Sequence, residues 1–436
     1  MMKFSSKKIW IPTILLLIIG GLFLYNRPVE LQKAVLMSTP LIFRDGLPKP
    51  YDGLPEDISP PTVDVFYATD RLPSDTHFLY PVFYGNDRSM TLSLGHARVR
   101  FGDDKMAWTD VERASFKKER SREVPLQIER ISELSTLGAA EELLEDSMRG
   151  ARHATDGFIT AVNDRLSRSS LKDIYIFVPG FKVDFTYPVL VAAELWHYLG
   201  YQGAFIAYSW PSRQRLRDYL TDVETTAFSA QHLRMLLVYL ALNTEARRIH
   251  ILCYSAGARI VSQALHELRL MGFGFPVDQL KEKLKIGQVI FAAPDIDLML
   301  FAARYRDRFG DISDTISIYT NANDTALNWA LRFIGWPRLG APGQMGLKPM
   351  ELQSFSIMEN TWLIDVAAAE EAASGNGHGY FIKSPWVSAD LLMALRTGAS
   401  PMDRGLVHQH NGLVWEFPDR YPQVVETLVR NRSHKQ

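Results

Sequence analysis

Polar and apolar positions change character several times along the chain. Near the N-terminus, Lys3, Lys7 and Lys8 precede an apolar run from Ile9 to Tyr25, broken only by Pro12, Thr13 and two glycines. From about residue 170 onward, short apolar runs alternate with longer segments of helical period. Ile174–Val178, Ala204–Tyr208, Ile249–Cys253, Ile286–Ala292, Thr315–Tyr319 and Ser354–Val366 read as strands. Helices are expected from about Tyr187 to Leu199, from Thr225 to Leu242 with strong amphipathic character, and from Ala256 to Leu270. Continuous apolar strands alternating with helices imply a parallel sheet covered on both faces. The expected fold is therefore α/β, open and mostly parallel, doubly wound, in one large domain.

The first half is less regular. Val63–Ala68 and Thr91–Phe101 alternate as strands do and predict an antiparallel edge to the larger sheet. Residues 27 to 61 carry Asp45-Gly-Leu-Pro-Lys-Pro50 and Ser59-Pro-Pro61, the composition of a linker. Residues 103 to 164 are dense in mixed charge, with helices expected near Glu141–Arg152 and Gly157–Arg165; they read as a helical insertion or a cap. The organisation expected is an anchor over 1–26, a linker over 27–61, a catalytic body over 62–400 and a C-terminal extension over 401–436.

Composition narrows the functional classes. The 436 residues are 47% apolar and 22% charged, enough to bury a large core. A net charge of −1 gives no basic surplus, so nucleic acid is not an expected partner. The single cysteine excludes an internal disulfide and leaves the compartment open. No metal or organic cofactor is expected: the eleven histidines form no H-E-x-x-H pattern, and His408-Gln-His410 reads as an exposed polar loop. The apolar run of seventeen residues lies at the short end of the range that crosses a bilayer. Bulky Tyr25-Asn-Arg-Pro28 follows it in place of a small-x-small cleavage site. An uncleaved signal anchor is expected, with the lysines in the cytoplasm and the body translocated. A cleaved signal peptide is the alternative. Oligomeric state is not legible.

The candidate chemistry centres on Cys253-Tyr-Ser255-Ala-Gly257, where an apolar strand ends and a helical pattern begins at once. That is the shape of a strand-to-helix elbow exposing a serine nucleophile, with Cys253 in place of the first glycine of G-x-S-x-G. Such a serine needs a base, and the base needs an acid to orient it. Asp324 follows the strand Thr315–Tyr319 and is the first choice of acid. Asp295 in Ala292-Ala-Pro-Asp-Ile-Asp297 is the alternative, and either aspartate could instead be a helix N-cap. His378, in Gly375-Asn-Gly-His-Gly379, is the expected base. An oxyanion site would take its backbone N–H groups from Ala256 and from Phe181, which follows Pro179-Gly180.

Eight motifs resemble, in order, those of bacterial α/β-hydrolases in the domain-of-unknown-function family numbered 900. They are Tyr67-Ala-Thr-Asp-Arg71, Leu94-Gly-His-Ala-Arg-Val99, Pro179-Gly-Phe181, Tyr208-Ser-Trp-Pro-Ser212, Tyr254-Ser-Ala-Gly257, Ala292-Ala-Pro-Asp-Ile-Asp297, Asn323-Asp-Thr-Ala-Leu327 and His378-Gly-Tyr380. The resemblance runs from about Val63 to Asp390. It implies an esterase- or lipase-like fold with Ser255, Asp324 and His378 as the triad. The chain departs from the family at Pro179, usually His, and at Tyr254-Ser-Ala, where His-Ser-Met is common. Two functions are thus expected to compete. One is a serine hydrolase cleaving an ester or lipid-like substrate at a bacterial inner membrane, on its periplasmic side. The other is a degenerate hydrolase fold serving as a binding or scaffold module there.

Overall fold

The computed structural model describes residues 34–46, 50–51, 54–55, 57–74, 83–138, 156–213, 215, 218–341, 360–409 and 414–433. The N-terminal apolar run and the helix expected near Glu141–Arg152 lie outside them. Among the described residues no helix is long and apolar enough to cross a membrane.

In chain order the elements are β1 (Thr62–Pro73), β2 (Tyr84–Phe101), α1 (Trp108–Ser115), β3 (Leu126–Leu137), α2 (Gly157–Arg168), β4 (Asp173–Val178) and α3 (Thr186–Tyr198). They continue with β5 (Ala204–Ser209), α4 (Tyr219–Asn243), β6 (Arg248–Tyr254), α5 (Gly257–Met271), α6 (Val277–Leu284), β7 (Ile286–Ala292) and α7 (Leu298–Arg306). The last are β8 (Ser313–Thr320), α8 (Thr325–Ile334), β9 (Thr361–Asp365), α9 (Tyr380–Lys383), α10 (Pro385–Thr397), β10 (Val407–His408), β11 (Val414–Glu416) and α11 (Tyr421–Ser433).

The described strands form one sheet in the order β10-β11-β9-β8-β7-β6-β4-β5-β1-β2-β3. It is parallel from β11 through β1 and antiparallel at both margins. Alternate residues feed two cores, as strand geometry requires. Ile174, Ile176 and Val178 of β4 join one core with α4 and α5. Tyr175 and Phe177 join the other, with α3 and α10. Helix α4 departs from its expected amphipathic form: Met235 to Ala241 are buried at every position, because other elements surround its C-terminal half.

β1 and β2 form the antiparallel margin expected of them, joined to the parallel strands through β5. Three regions differ from their sequence outline. The charged stretch after residue 103 supplies β3, which extends the sheet past β2, rather than helices alone. From Ala34 the supposed linker is packed: Leu36, Met37, Phe43, Tyr51 and Ile58 are buried in the second core. The contacts that hold it are polar as well as apolar. Met37 N–H donates to buried Glu194 at 2.8 Å, Arg120 donates to the Leu36 and Met37 carbonyls, and the Tyr51 hydroxyl meets His197 Nε2. Beyond residue 400, β11 pairs with β9 while Phe417, Tyr421 and Val425 enter the same core.

Glu194 makes this packing pH-sensitive. Burial pushes its carboxyl up to about 8, against the opposing hydrogen bond from Met37 and the charge of Arg120. The folded protein therefore holds this proton more tightly than the unfolded chain. The stability it contributes is complete below the ordinary value of 4.5 and is lost as pH rises toward 8. Glu194→Gln should gain stability relative to the parent protein between about pH 5 and 8, read from denaturant midpoints at each pH. A constant difference across that window would contradict this account.

Candidate active site

β4 has β5 on one side and β6 on the other. The chain leaves β4 through α3 toward β5, and leaves β6 through α5 toward β7. The turns after β4 and β6 therefore diverge, and such a switch point opens a crevice at the C-terminal ends of parallel strands. Pro179-Gly180-Phe181 follows β4 and Ser255 follows β6, so the two turns expected to carry chemistry face each other.

Their approach is too close for side chains. A Cβ on Gly180 would lie 2.8 Å from Ser255 Cβ, and one on Gly257 would lie 2.5 Å from the Val178 carbonyl oxygen. Glycine is thus demanded by contact at both positions. Cys253 escapes that demand because it lies within β6, paired with Val178 and Phe291, and needs no left-handed backbone. It is buried, and burial pushes its thiol well above the usual value, so it packs as a small neutral side chain.

Ser255 has φ 52, in the left-handed region. Its N–H donates to the Ala292 carbonyl and its own carbonyl accepts from Asp295 N–H, both at 3.0 Å. Ser255 Oγ lies 2.9 Å from His378 Nε2, and His378 Nδ1 lies 2.5 Å from Asp324 Oδ2. Asp324 is fully buried, and its other oxygen accepts Leu327 N–H at 2.9 Å, capping α8. The N-cap and His-partner readings of this residue hold together, one per oxygen.

The glycine loop carrying His378 is tied to the turn that carries Asp324. Asn321 Nδ2 donates to the Gly377 carbonyl at 2.9 Å, and the Asn376 carbonyl accepts from Thr325 N–H and Oγ at 3.0 Å each. Gly377 has φ 68, and a Cβ there would lie 2.9 Å from the Asn323 carbonyl. The Tyr254 ring packs 5.0 Å from the imidazole and 4.6 Å from Phe381. Burial raises its hydroxyl far above neutrality, so Tyr254 is an uncharged wall beside His378.

Across the crevice, Phe181 packs edge-on against Tyr219 at 5.1 Å. The Phe181 and Ala256 backbone N–H groups have no hydrogen-bond acceptor among the described residues. Ala256 immediately precedes α5, so its N–H belongs to the positive end of that helix.

Asp295 does not reach the imidazole nitrogens. Arg338 Nε donates to its Oδ1 at 2.8 Å, the Tyr219 hydroxyl donates to its Oδ2 at 2.7 Å, and Arg259 stands 3.7 Å away. Burial would raise this carboxyl, but Arg259, Arg338 and Tyr219 outweigh burial and hold it below the usual range. Asp297 caps α7 through Leu300 N–H. Tyr219 and Arg338 were missed in the sequence, where nothing marks them as partners of Asp295. No group of three His, Cys, Asp or Glu side chains converges for a metal among the described residues. His408 is exposed but lies in β10 rather than in a loop, its ring tilted over Trp415 of β11, and His410 lies outside the described residues.

This arrangement of sheet, elbow serine and histidine loop is that of an α/β hydrolase. The family profile described as alpha/beta hydrolase of unknown function (DUF900) matches residues 154–396, more than half of the chain, and the protein belongs to that family. Two solved structures of esterase B from Lactobacillus rhamnosis are similar at 12% identity, with TM-scores of 0.27 and 0.25. Each alignment covers 62% of this chain and 79% of the esterase, and one structure is described with a tributyrin phosphonate inhibitor. No curated protein matches.

The two aspartates should separate cleanly by mutation. Asp324→Asn is expected to lower kcat by about 10⁴, the loss seen when an orienting acid is neutralised in a triad. Asp295→Asn should act mainly on stability, by about 3–5 kcal/mol for breaking a buried ion pair. Ester turnover and denaturant unfolding of both variants check this, and a larger turnover loss at Asp295 would reverse the assignment.

Proposed function

We propose that the protein is a serine hydrolase that cleaves a carboxylic ester through an acyl-enzyme. The observation that carries this reading is the unbroken relay from Ser255 Oγ to His378 Nε2 at 2.9 Å and from His378 Nδ1 to Asp324 at 2.5 Å. His378 takes the Ser255 proton as Oγ attacks the ester carbonyl carbon. Asp324 holds the imidazole in the tautomer with its proton on Nδ1 and stabilises the imidazolium that forms. The Phe181 and Ala256 N–H groups receive the negative charge that develops on the carbonyl oxygen. His378 then protonates the departing alkoxide oxygen, leaving Ser255 acylated. Water, deprotonated by the same imidazole, releases the acid and restores the serine. The scheme requires no metal or organic cofactor. Partly exposed aromatic rings beside the serine and histidine, Tyr254 on one side and Phe181 against Tyr219 on the other, favour an apolar acyl chain and support a lipid-like ester.

The lysine-flanked apolar run over residues 9–25 supports the second half of the proposal: the body is held at a bacterial inner membrane and faces the periplasm. A fusion reporter placed after Arg27 should be active outside the cytoplasm; activity confined to the cytoplasm would reject this topology.

Covalent labelling by a fluorophosphonate probe tests the chemistry directly. The parent protein should be labelled and a folded Ser255→Ala variant should not. Absence of labelling in the parent, or equal labelling in the variant, would sink the hydrolase reading.

A further inference from the structure

The turn that carries Phe181 is held in place by Arg71 of β1 and by Trp210 and Ser212, which follow β5. At its start, the Pro179 carbonyl accepts from Trp210 Nε1 at 2.9 Å. Past Phe181, Lys182 has φ 69, a left-handed conformation that a non-glycine residue keeps only when its surroundings impose it. The Lys182 N–H donates to Ser212 Oγ at 2.7 Å. At the end of the turn, the Val183 carbonyl accepts from Arg71 Nη2 at 2.9 Å. Phe181 thus lies between three fixed points.

The anchors are themselves cross-linked. Arg71 is fully buried, and its other donors go to Ser209 Oγ at 3.1 Å, the Gly85 carbonyl at 3.0 Å, Asn86 Oδ1 at 2.8 Å and the Ser212 carbonyl at 3.4 Å. All of these acceptors are neutral oxygens. Burying a guanidinium without a carboxylate in contact is costly, and burial pulls its ordinarily very high pKa down to about 10. What the cation provides for that cost is geometry: a rigid planar fork fixing the turn after β4, the segment after β5 and the start of β2 relative to one another. Ser212 Oγ donates to Asp222 at 3.1 Å, which turns its lone pairs toward Lys182 N–H. Thr69 Oγ1 adds a bond to the Ser209 carbonyl at 2.6 Å.

We propose that Arg71 and Ser212, with Trp210, are positioning residues that set the direction of the Phe181 N–H at the oxyanion site. This rests on the hydrolase reading above, because it assigns a purpose to the turn only if charge develops beside it. Motifs Tyr67-Ala-Thr-Asp-Arg71 and Tyr208-Ser-Trp-Pro-Ser212, which hold none of the triad, acquire a shared task.

The test compares Ser212→Ala and Arg71→Lys with the parent protein on a short-chain p-nitrophenyl ester, with active sites counted by fluorophosphonate titration. Ser212→Ala should lower kcat per titrated site roughly 10- to 100-fold while KM changes by less than about threefold, because a donor displaced by a fraction of an ångström is felt in the transition state. The pH profile should keep its shape, since His378 and Asp324 are untouched. Deuterium exchange at the Lys182 amide should quicken in Ser212→Ala, a readout that does not depend on turnover. Arg71→Lys keeps the charge, loses the fork and should fall in the same direction. A kcat per titrated site within about twofold of the parent in both variants, or a loss confined to KM or to the titratable fraction, would overturn the proposal. Unchanged Lys182 exchange would also overturn it. Failure of the parent protein to label at Ser255, with Lys182 protected as expected, would instead remove the hydrolase reading and this assignment with it.

Discussion

Everything at the candidate site depends on a backbone angle that Ser255 would not adopt alone. A non-glycine residue at φ 52 carries roughly 1–3 kcal/mol of strain, and it persists only where neighbours over-determine it. Here the end of β7 and the turn after it supply the two restraints, through the Ala292 carbonyl and the Asp295 N–H. The consequence is steric. With the serine turned upward, the strand β4 and its turn must pass within contact of it, which forces glycine at 180 and 257. Ala293 is also left-handed, at φ 47, so the strain extends into the neighbouring turn, where Tyr380 Oη accepts the Ala293 N–H at 2.7 Å. Tyr380 lies two residues past His378. The strained elbow and the histidine loop are thus joined beneath the surface as well as through Ser255 Oγ.

Asp324 shows how one side chain can meet two demands. Oδ1 satisfies an orphan N–H at the start of α8 while Oδ2 accepts from His378, so the helix fixes the carboxylate's orientation before the imidazole meets it. Asn321 does the complementary task from the loop side. Asp295 is as well buried but fully engaged by Arg338 and Tyr219, and a carboxylate held by two donors is not free to orient a third group.

The parallel sheet and the meeting of Ser255, Asp324 and His378 were legible because each leaves a local trace. The strands are continuous apolar runs, the elbow is a strand that stops at a small-residue turn, and His378 stands in a glycine cluster. The choice between Asp324 and Asp295 was not local: it turns on Arg338, 43 residues beyond Asp295 and in no recognisable motif. β3 was hidden for another reason. Its sequence Leu-Gln-Ile-Glu-Arg-Ile-Ser-Glu has the charge of a solvated helix, because at the sheet margin much of each residue stays in water. The segment from Ala34 looked like a linker by composition, yet partners more than a hundred residues away hold it. Glu194 for Met37 and His197 for Tyr51 are examples. Composition reports what a segment can do alone, and here the buried contacts come from distant parts of the chain.

The family match begins at residue 154, but the site does not. β1 pairs with β5 over Phe66–Thr69, and two residues later Arg71 enters the turn after β4, 112 residues ahead in the chain. A chain reduced to the family region would keep Ser255, His378 and Asp324 and would lose the guanidinium that fixes Val183. It would also expose the backbone of β5 as a new sheet edge, with a row of unpaired groups. The antiparallel strands therefore belong to the hydrolase fold rather than decorating it. They cover the sheet edge that β5 would otherwise present, and through one buried cation they reach the turn that carries the Phe181 N–H.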